Sequence, residues 1–166
     1  MNRNINSLTA LCVLCASVAY GAAQGAENLA RGQSACEALM WTRNLTITLA
    51  QVVEAADLTP RYCYVKGFIS PAINYHVQLP LPENWNGRFV KWGDGGKDGD
   101  LDFADHRVAQ GYAVANSNTG HDSGTEPRAS FGFNNRQAEI DFGYRAIHLT
   151  VNAAKTLIEA YSQRPP

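Results

Sequence analysis

The 166-residue chain has a formal net charge of −1 and a hydrophobic content of 45%, a balance typical of a globular domain rather than of a disordered segment. Its 14 basic residues form neither a run nor a stripe interleaved with aromatic residues, so the sequence gives no indication of nucleic-acid binding. The length is that of one domain.

The first 23 residues have the pattern of a cleavable secretory signal. Arg3 is followed by an uncharged apolar run over residues 8–20 and then by small residues at 21–23. The run is shorter than the roughly 20 residues that a membrane-spanning helix needs. We therefore predict a signal peptide over residues 1–23, a secreted or periplasmic protein, and no membrane association.

Cys36 and Cys63 are the two cysteines that remain after such a cleavage. In an oxidising compartment an even pair predicts a disulfide bond, and the alternative is two buried free thiols.

Residues 24–35 contain few apolar side chains and are interpreted as a leader to the fold. The β-branched residues of "LTITLAQVVEA" (45–55) allow either a strand or a short helix. Residues 62–70 and 73–79 predict two strands that pair antiparallel at the edge of a sheet. Strict alternation in the second strand puts one set of side chains in the core and the other in solvent; the solvent set is Asn74, His76 and Gln78.

A strand at 88–92, a glycine loop at 93–99, a helix at 101–108 ended by Gly111, and an apolar strand at 112–116 together predict a βαβ unit. The final segment predicts a helix that covers one face of the sheet and starts at a capping Asp141. Its apolar stripe consists of Tyr144, Ile147, Val151, Ala154, Ile158 and Tyr161.

The loop "GDGGKDG" raises the question of what needs bare amide groups at the end of a strand. Without side chains, the carbonyl oxygen of a substrate can approach the backbone, and such loops stabilise the oxyanion formed during ester cleavage. Gly95 and Gly96 are the candidate oxyanion-hole donors. The alternative is a surface turn that needs glycine for bending. The loop matches neither pattern of a nucleotide-binding loop.

The sequence indicates no metal site or cofactor in this chain. Asp98, Asp100 and Asp102 alternate as at the start of a calcium loop, but Phe103 and Ala109 occupy the positions that require glycine and glutamate. No histidine pattern matches a zinc site.

The histidines and serines also fail to form a catalytic group. No serine lies in a G-x-S-x-G elbow. His121 and Asp122 are adjacent on an extended loop and point apart, so His121 is interpreted as a buried or loop-fixing residue, and His148, beside the apolar stripe, likewise. His76 and His106 are expected to be exposed.

Three stretches, "LPENWNGRF" (81–89), "NTGH" (118–121) and "DFGYRAIH" (141–148), occur in this order. Together they resemble the N-terminal part of the tannase and feruloyl esterase family, secreted α/β-hydrolases that cleave aromatic carboxylic esters. The resemblance runs from about Cys36 to the last residue. Family members have a fuller glycine run, which Asp94 interrupts here.

The resemblance implies an α/β fold with antiparallel leading strands followed by βαβ units. It also implies a serine nucleophile in a C-S-x-G-G elbow, aspartate and histidine partners downstream, and a lid domain that binds the aromatic acid and often calcium. None of these residues is present, so residues 36–166 are expected to be a truncated part of the catalytic domain, inactive alone. The alternative is a secreted non-catalytic β-rich binding module, complete as it stands.

Overall fold

A computed structural model describes residues 24, 27, 28 and 30–166, except 94, 98 and 127. The predicted signal peptide, residues 1–23, lies outside the described residues. Within them, residues 30–38 are helical (α1), and no helix is both long and apolar enough to cross a bilayer.

Five strands form one mixed sheet in the order β1-β2-β3-β5-β4. The pairs β1–β2, β2–β3 and β3–β5 are antiparallel, and β4 pairs parallel with β5. The strands are β1 (Thr46–Val53), β2 (Tyr62–Ile69), β3 (Ile73–Pro80), β4 (Phe89–Lys91) and β5 (Ala113–Ser117). Residues 46–53 are therefore a strand, the first of the two conformations that the sequence allowed.

The antiparallel pairing of β2 with β3 is confirmed, but the expected edge position is wrong. β3 lies in the middle of the sheet, between β2 and β5. Its second face is also covered, because His76 and Gln78 are completely buried and only Asn74 is exposed. Alternation correctly separated the two faces of this strand, but it could not show that later residues cover the second face.

The βαβ unit is confirmed. Helix α2 (Asp105–Ala109) follows the glycine loop, and all five residues of β5 are buried. Gly111 follows the helix at a φ of +83°, the left-handed conformation that commonly ends helices. Helix α2 covers one face of the sheet, beside a cluster that includes Tyr64, Val108 and Val114.

The final helical segment starts earlier than predicted. Helix α3 (Arg136–Ile140) continues through a π-helical turn (Asp141–Arg145) into α4 (Ala146–Ser162). The side chain of Asn135, and not Asp141, caps the start by accepting a hydrogen bond from the Ala138 amide at 3.1 Å. Asp141 is wrong as a capping residue because it lies inside a continuous helical segment.

The π-helical turn also changes which residues of α4 face the sheet. A wider turn rotates the residues around it relative to a regular α-helix. Tyr144 and Ile147 are therefore 65% and 48% exposed, against prediction, whereas Ala154, Ile158 and Tyr161 are buried as predicted. The buried face consists of Ala146, Thr150, Ala153, Ala154, Leu157, Ile158 and Tyr161.

The main core lies between α4 and the sheet. It contains Val65, Val77 and Leu157, among others, and the predicted disulfide between Cys36 and Cys63. The disulfide joins α1 to β2, with a Cα–Cα distance of 5.6 Å. The two faces of the sheet are thus covered by helices, and the architecture is α/β rather than a closed β-sandwich.

Candidate functional site

The glycine loop lies at the carboxyl ends of the two parallel strands. The amide of Trp92, the residue after β4, donates to the carbonyl oxygen of Ala115 in β5 at 2.8 Å. The loop then borders a groove of about 200 Å³. The groove is lined by Lys91, Gly93, Gly96, Lys97, Thr119, Phe142 and Ile147.

Open space surrounds the candidate donors. Apart from its chain neighbours, a Cβ placed on Gly93, Gly95 or Gly96 would find no atom of the described residues within 4 Å. Gly96 has a φ of +65°, which favours glycine, whereas neither Gly93 nor Gly95 lies in the left-handed region. The groove therefore has room for a small group to approach the backbone at Gly93 and Gly96; Gly95 does not line it.

Gly99, in contrast, is tightly packed. A Cβ there would lie 2.7 Å from the Ser123 amide nitrogen and 2.8 Å from Nε2 of His121. The Ser123 hydroxyl donates to Oδ1 of Asp100 at 2.6 Å. The end of the glycine loop is thus fixed against the segment that follows β5.

That segment, residues 118–121, is folded around one asparagine. Oδ1 of Asn118 accepts from the amides of Asn74 at 2.9 Å and Gly120 at 3.1 Å. Its Nδ2 donates to the carbonyl oxygen of Ala72 at 3.2 Å. Asn118 therefore joins the end of β5 to the turn before β3. Sequence reasoning missed this role, although Asn118 is the first residue of the "NTGH" stretch.

His121 is buried, as predicted, and is only 3% exposed. Its ring stacks on Phe131 with centroids 3.9 Å apart and meets Phe142 edge-on at 5.8 Å. Nδ1 lies 3.3 Å from the hydroxyl of Thr119. The carboxylate of Asp122 accepts from the Gly124 amide at 2.8 Å.

His76 is completely buried, so its expected exposure is wrong. Its Nε2 lies 2.9 Å from the carbonyl oxygen of Asp102, which only accepts, so Nε2 carries the proton. Nδ1 then accepts from the Tyr64 hydroxyl at 3.2 Å. Burial lowers the pKa of His76 to about 4; the hydrogen bond to Asp102 opposes this shift.

Gln78 is the second buried polar residue on this face of β3. Its Oε1 accepts from the Ala104 amide at 3.1 Å, and its Nε2 donates to Oδ1 of Asp105 at 2.7 Å. Both contacts are at the start of α2, directly after the glycine loop. No local signal could have revealed them, because the partners are 26 and 27 residues away in the sequence.

The two remaining histidines lie elsewhere. His106 is exposed, as predicted, and meets the ring of Trp92 edge-on at 5.1 Å. His148 is exposed on α4 and pairs with Asn152 at 3.2 Å, so it is not a buried residue. Within the part of the chain that the structure describes, no three histidine, cysteine or acidic side chains are grouped to hold a metal ion; Asp98 lies outside that part.

The mixed sheet, the helices on both faces and the glycine loop at the carboxyl ends of parallel strands match part of an α/β-hydrolase fold. Residues 59–166 match the sequence model of the family described as tannase and feruloyl esterase. The chain belongs to that family.

Known proteins agree with this assignment. The chain is 40% identical over 91 residues to a probable feruloyl esterase B-2 of Aspergillus flavus, covering 54% of this chain and 17% of the relative. It is 31% identical over 160 residues to feruloyl esterase B of Aspergillus niger, covering 94% of this chain and 27% of the relative. The crystal structure of feruloyl esterase B from Aspergillus oryzae superposes with a TM-score of 0.61 at 23% identity, covering 78% of this chain and 29% of that one. The chain thus spans less than a third of the length of each of these relatives.

Proposed function

We propose that this chain is the N-terminal part of a secreted esterase that hydrolyses esters of aromatic acids such as ferulic or gallic acid. Family membership supports ester hydrolysis, and the names of the fungal relatives support the feruloyl class. The observation that carries the proposal is the position of the glycine loop at the carboxyl ends of β4 and β5, beside an open groove.

In this proposal the amide of Gly95 or Gly96 donates a hydrogen bond to the oxyanion that forms when the ester carbonyl is attacked. A donor fixed in place before the reaction stabilises the developing negative charge without further reorganisation. The attacking serine, with its aspartate and histidine partners, belongs to polypeptide that follows Pro166. The 166 residues alone therefore lack an activated nucleophile and are expected to be inactive.

The test begins with the coding sequence downstream of Pro166. We expect an in-frame continuation into a strand and a C-S-x-G-G elbow. The extended protein and the 166-residue chain are then purified and assayed with methyl ferulate and methyl gallate. Turnover by the extended protein only is the expected result.

Two outcomes would contradict the proposal. An extended protein that hydrolyses neither ester would reject the substrate class, and turnover by the 166-residue chain would reject the placement of the nucleophile. The donor is identified separately, by binding an aryl phosphonate to the extended protein. We expect the amide proton of Gly95 or Gly96, rather than that of Gly93, to shift downfield in the complex.

A further inference from the structure

Two buried polar side chains on β3 contact the segment that leaves the glycine loop. His76 donates to the carbonyl oxygen of Asp102, and Gln78 binds both the amide of Ala104 and the carboxylate of Asp105. We name this pair the β3 clamp. Both side chains are completely buried in the middle of the sheet.

The other end of the loop is fixed independently. Lys91 pairs with Ala115 in the parallel ladder, and the next amide, that of Trp92, also donates to Ala115. The backbone between Trp92 and Asp102 contains four glycines, which impose little conformational preference of their own. The position of the amides at 95 and 96 therefore depends on how firmly the backbone is held on either side, at Trp92 and, after them, at Gly99 and residues 102–105.

Stability alone does not explain polar residues at these positions. Burying polar side chains costs free energy that their hydrogen bonds only offset, and apolar residues of the same shape are often equally stable. Neighbouring positions on the same face of the sheet, such as Val114, are apolar and pack against α2. The polar pair instead fixes one alignment of Asp102, Ala104 and Asp105 relative to the sheet.

We propose that His76 and Gln78 are positioning residues that hold the glycine loop in register with the ends of β4 and β5. The catalytic consequence rests on the proposed function, since the loop is there assigned the oxyanion donors. Neither residue lines the groove, so they act only through residues 102–105: the backbone of Asp102 and Ala104 and the carboxylate of Asp105.

The test compares three substitutions in the 166-residue chain by ¹⁵N relaxation. His76→Phe keeps a ring between Tyr64 and Phe103 but removes the donor to Asp102. His76→Gln removes the ring but places an amide donor near the position of Nε2. His148→Phe, at an exposed histidine of α4, is the matched control.

If His76 positions the loop through its hydrogen bond, the loop should be looser in His76→Phe than in His76→Gln. If His76 acts only by packing, the loop should be looser in His76→Gln. We expect the order parameters of Gly95, Gly96 and Lys97 to fall from about 0.85 to below about 0.6 in His76→Phe and to stay high in His76→Gln and His148→Phe. Val77 and Val114 in the sheet should not change in any variant. Gln78→Leu provides a second, independent variant, with the same loosening expected of the loop.

Unchanged order parameters in both His76→Phe and Gln78→Leu would overturn the proposal, as would a looser loop in His76→Gln than in His76→Phe. In the extended protein, His76→Phe should lower kcat about tenfold and leave KM within twofold; an unchanged kcat would reject the link to catalysis. The relaxation experiment uses no ester substrate. It therefore tests the positioning role even if the extended protein has no esterase activity.

Discussion

The carboxylate of Asp141 accepts a hydrogen bond of 2.6 Å from the guanidinium of Arg145, four residues further along the π-helical turn. The carboxylate is 1% exposed, and it also accepts from Gln137 at 2.9 Å. Arg145 in addition donates to the carbonyl oxygen of Ser70 at 2.8 Å, between β2 and β3. This ion pair therefore joins the helical segment to the sheet.

Replacing Arg145 by methionine should destabilise the fold, because it leaves the Asp141 carboxylate buried without its cation. Removing one partner of a buried ion pair costs about 3 kcal/mol, and somewhat less where solvent reaches the remaining group. The measurement is the free energy of unfolding in urea. Arg136→Met is the control, since Arg136 pairs with Glu139 on the surface of the same segment, where such a pair contributes at most about 0.5 kcal/mol. Equal effects of the two substitutions would contradict the prediction.

Reduction of the disulfide should also lower stability. Cys36 and Cys63 are 27 residues apart, and closing a loop of that size restricts the unfolded chain by about 3.5 kcal/mol. We expect the urea midpoint to fall in dithiothreitol. A Cys36→Ser, Cys63→Ser double variant should start at the lower midpoint and should not respond to the reductant. A wild-type midpoint that is insensitive to dithiothreitol would show that the bond contributes little.

Local sequence patterns predicted the elements whose environment depends on near neighbours. The apolar composition of 112–116 indicated a strand covered on both faces, and strand, loop, helix and strand were joined correctly into a βαβ unit. The even pair of cysteines correctly predicted the disulfide bond between Cys36 and Cys63. The position of the glycine loop followed from the same unit, because a loop after a parallel strand lies at the carboxyl end of the sheet.

The errors arose where distant residues decide the outcome. His76 and Gln78 are separated from their hydrogen-bond partners in residues 102–105 by 26 or more positions, so alternation alone assigned them to solvent. The exposure of Tyr144 and Ile147 follows from a π-helical turn, for which the sequence has no simple signal. Asp141 has the residue type of a cap, but its carboxylate binds Arg145 instead.

Two glycines of the loop should respond differently to alanine. Gly99 has a φ of +103°, and its Cβ would lie 2.7 Å from the backbone nitrogen of Ser123. Gly99→Ala should therefore lower the free energy of unfolding by about 2 kcal/mol, through strain and the clash together. At Gly95 a Cβ meets no atom, so Gly95→Ala should stay within about 0.5 kcal/mol of wild type. Urea titration measures both, and a tolerated Gly99→Ala would contradict the packing described.

The buried imidazole of His76 should make the free energy of unfolding depend on pH. Burial lowers its pKa from 6.5 to about 4, an effect to which the cations Lys66 and Lys91 add and which Asp105 opposes. The folded state therefore binds this proton less readily than the unfolded state. The contribution of His76 to the free energy of unfolding is complete above pH 6.5. As the pH falls from 6.5 to 4, about 3 kcal/mol of this contribution is lost.

The measurement is the free energy of unfolding at pH 7.5 and pH 4 for the wild type and for His76→Gln, which does not titrate. Other carboxylates and histidines contribute to both proteins, so only the difference between the two pH dependences reports on His76. We expect the wild type to lose about 3 kcal/mol more than the variant over this interval. His106→Gln is the matched control for the substitution itself, because it replaces an exposed histidine by the same residue. Parallel pH dependences for the wild type and His76→Gln would show that the buried imidazole accepts a proton as readily as in the unfolded chain.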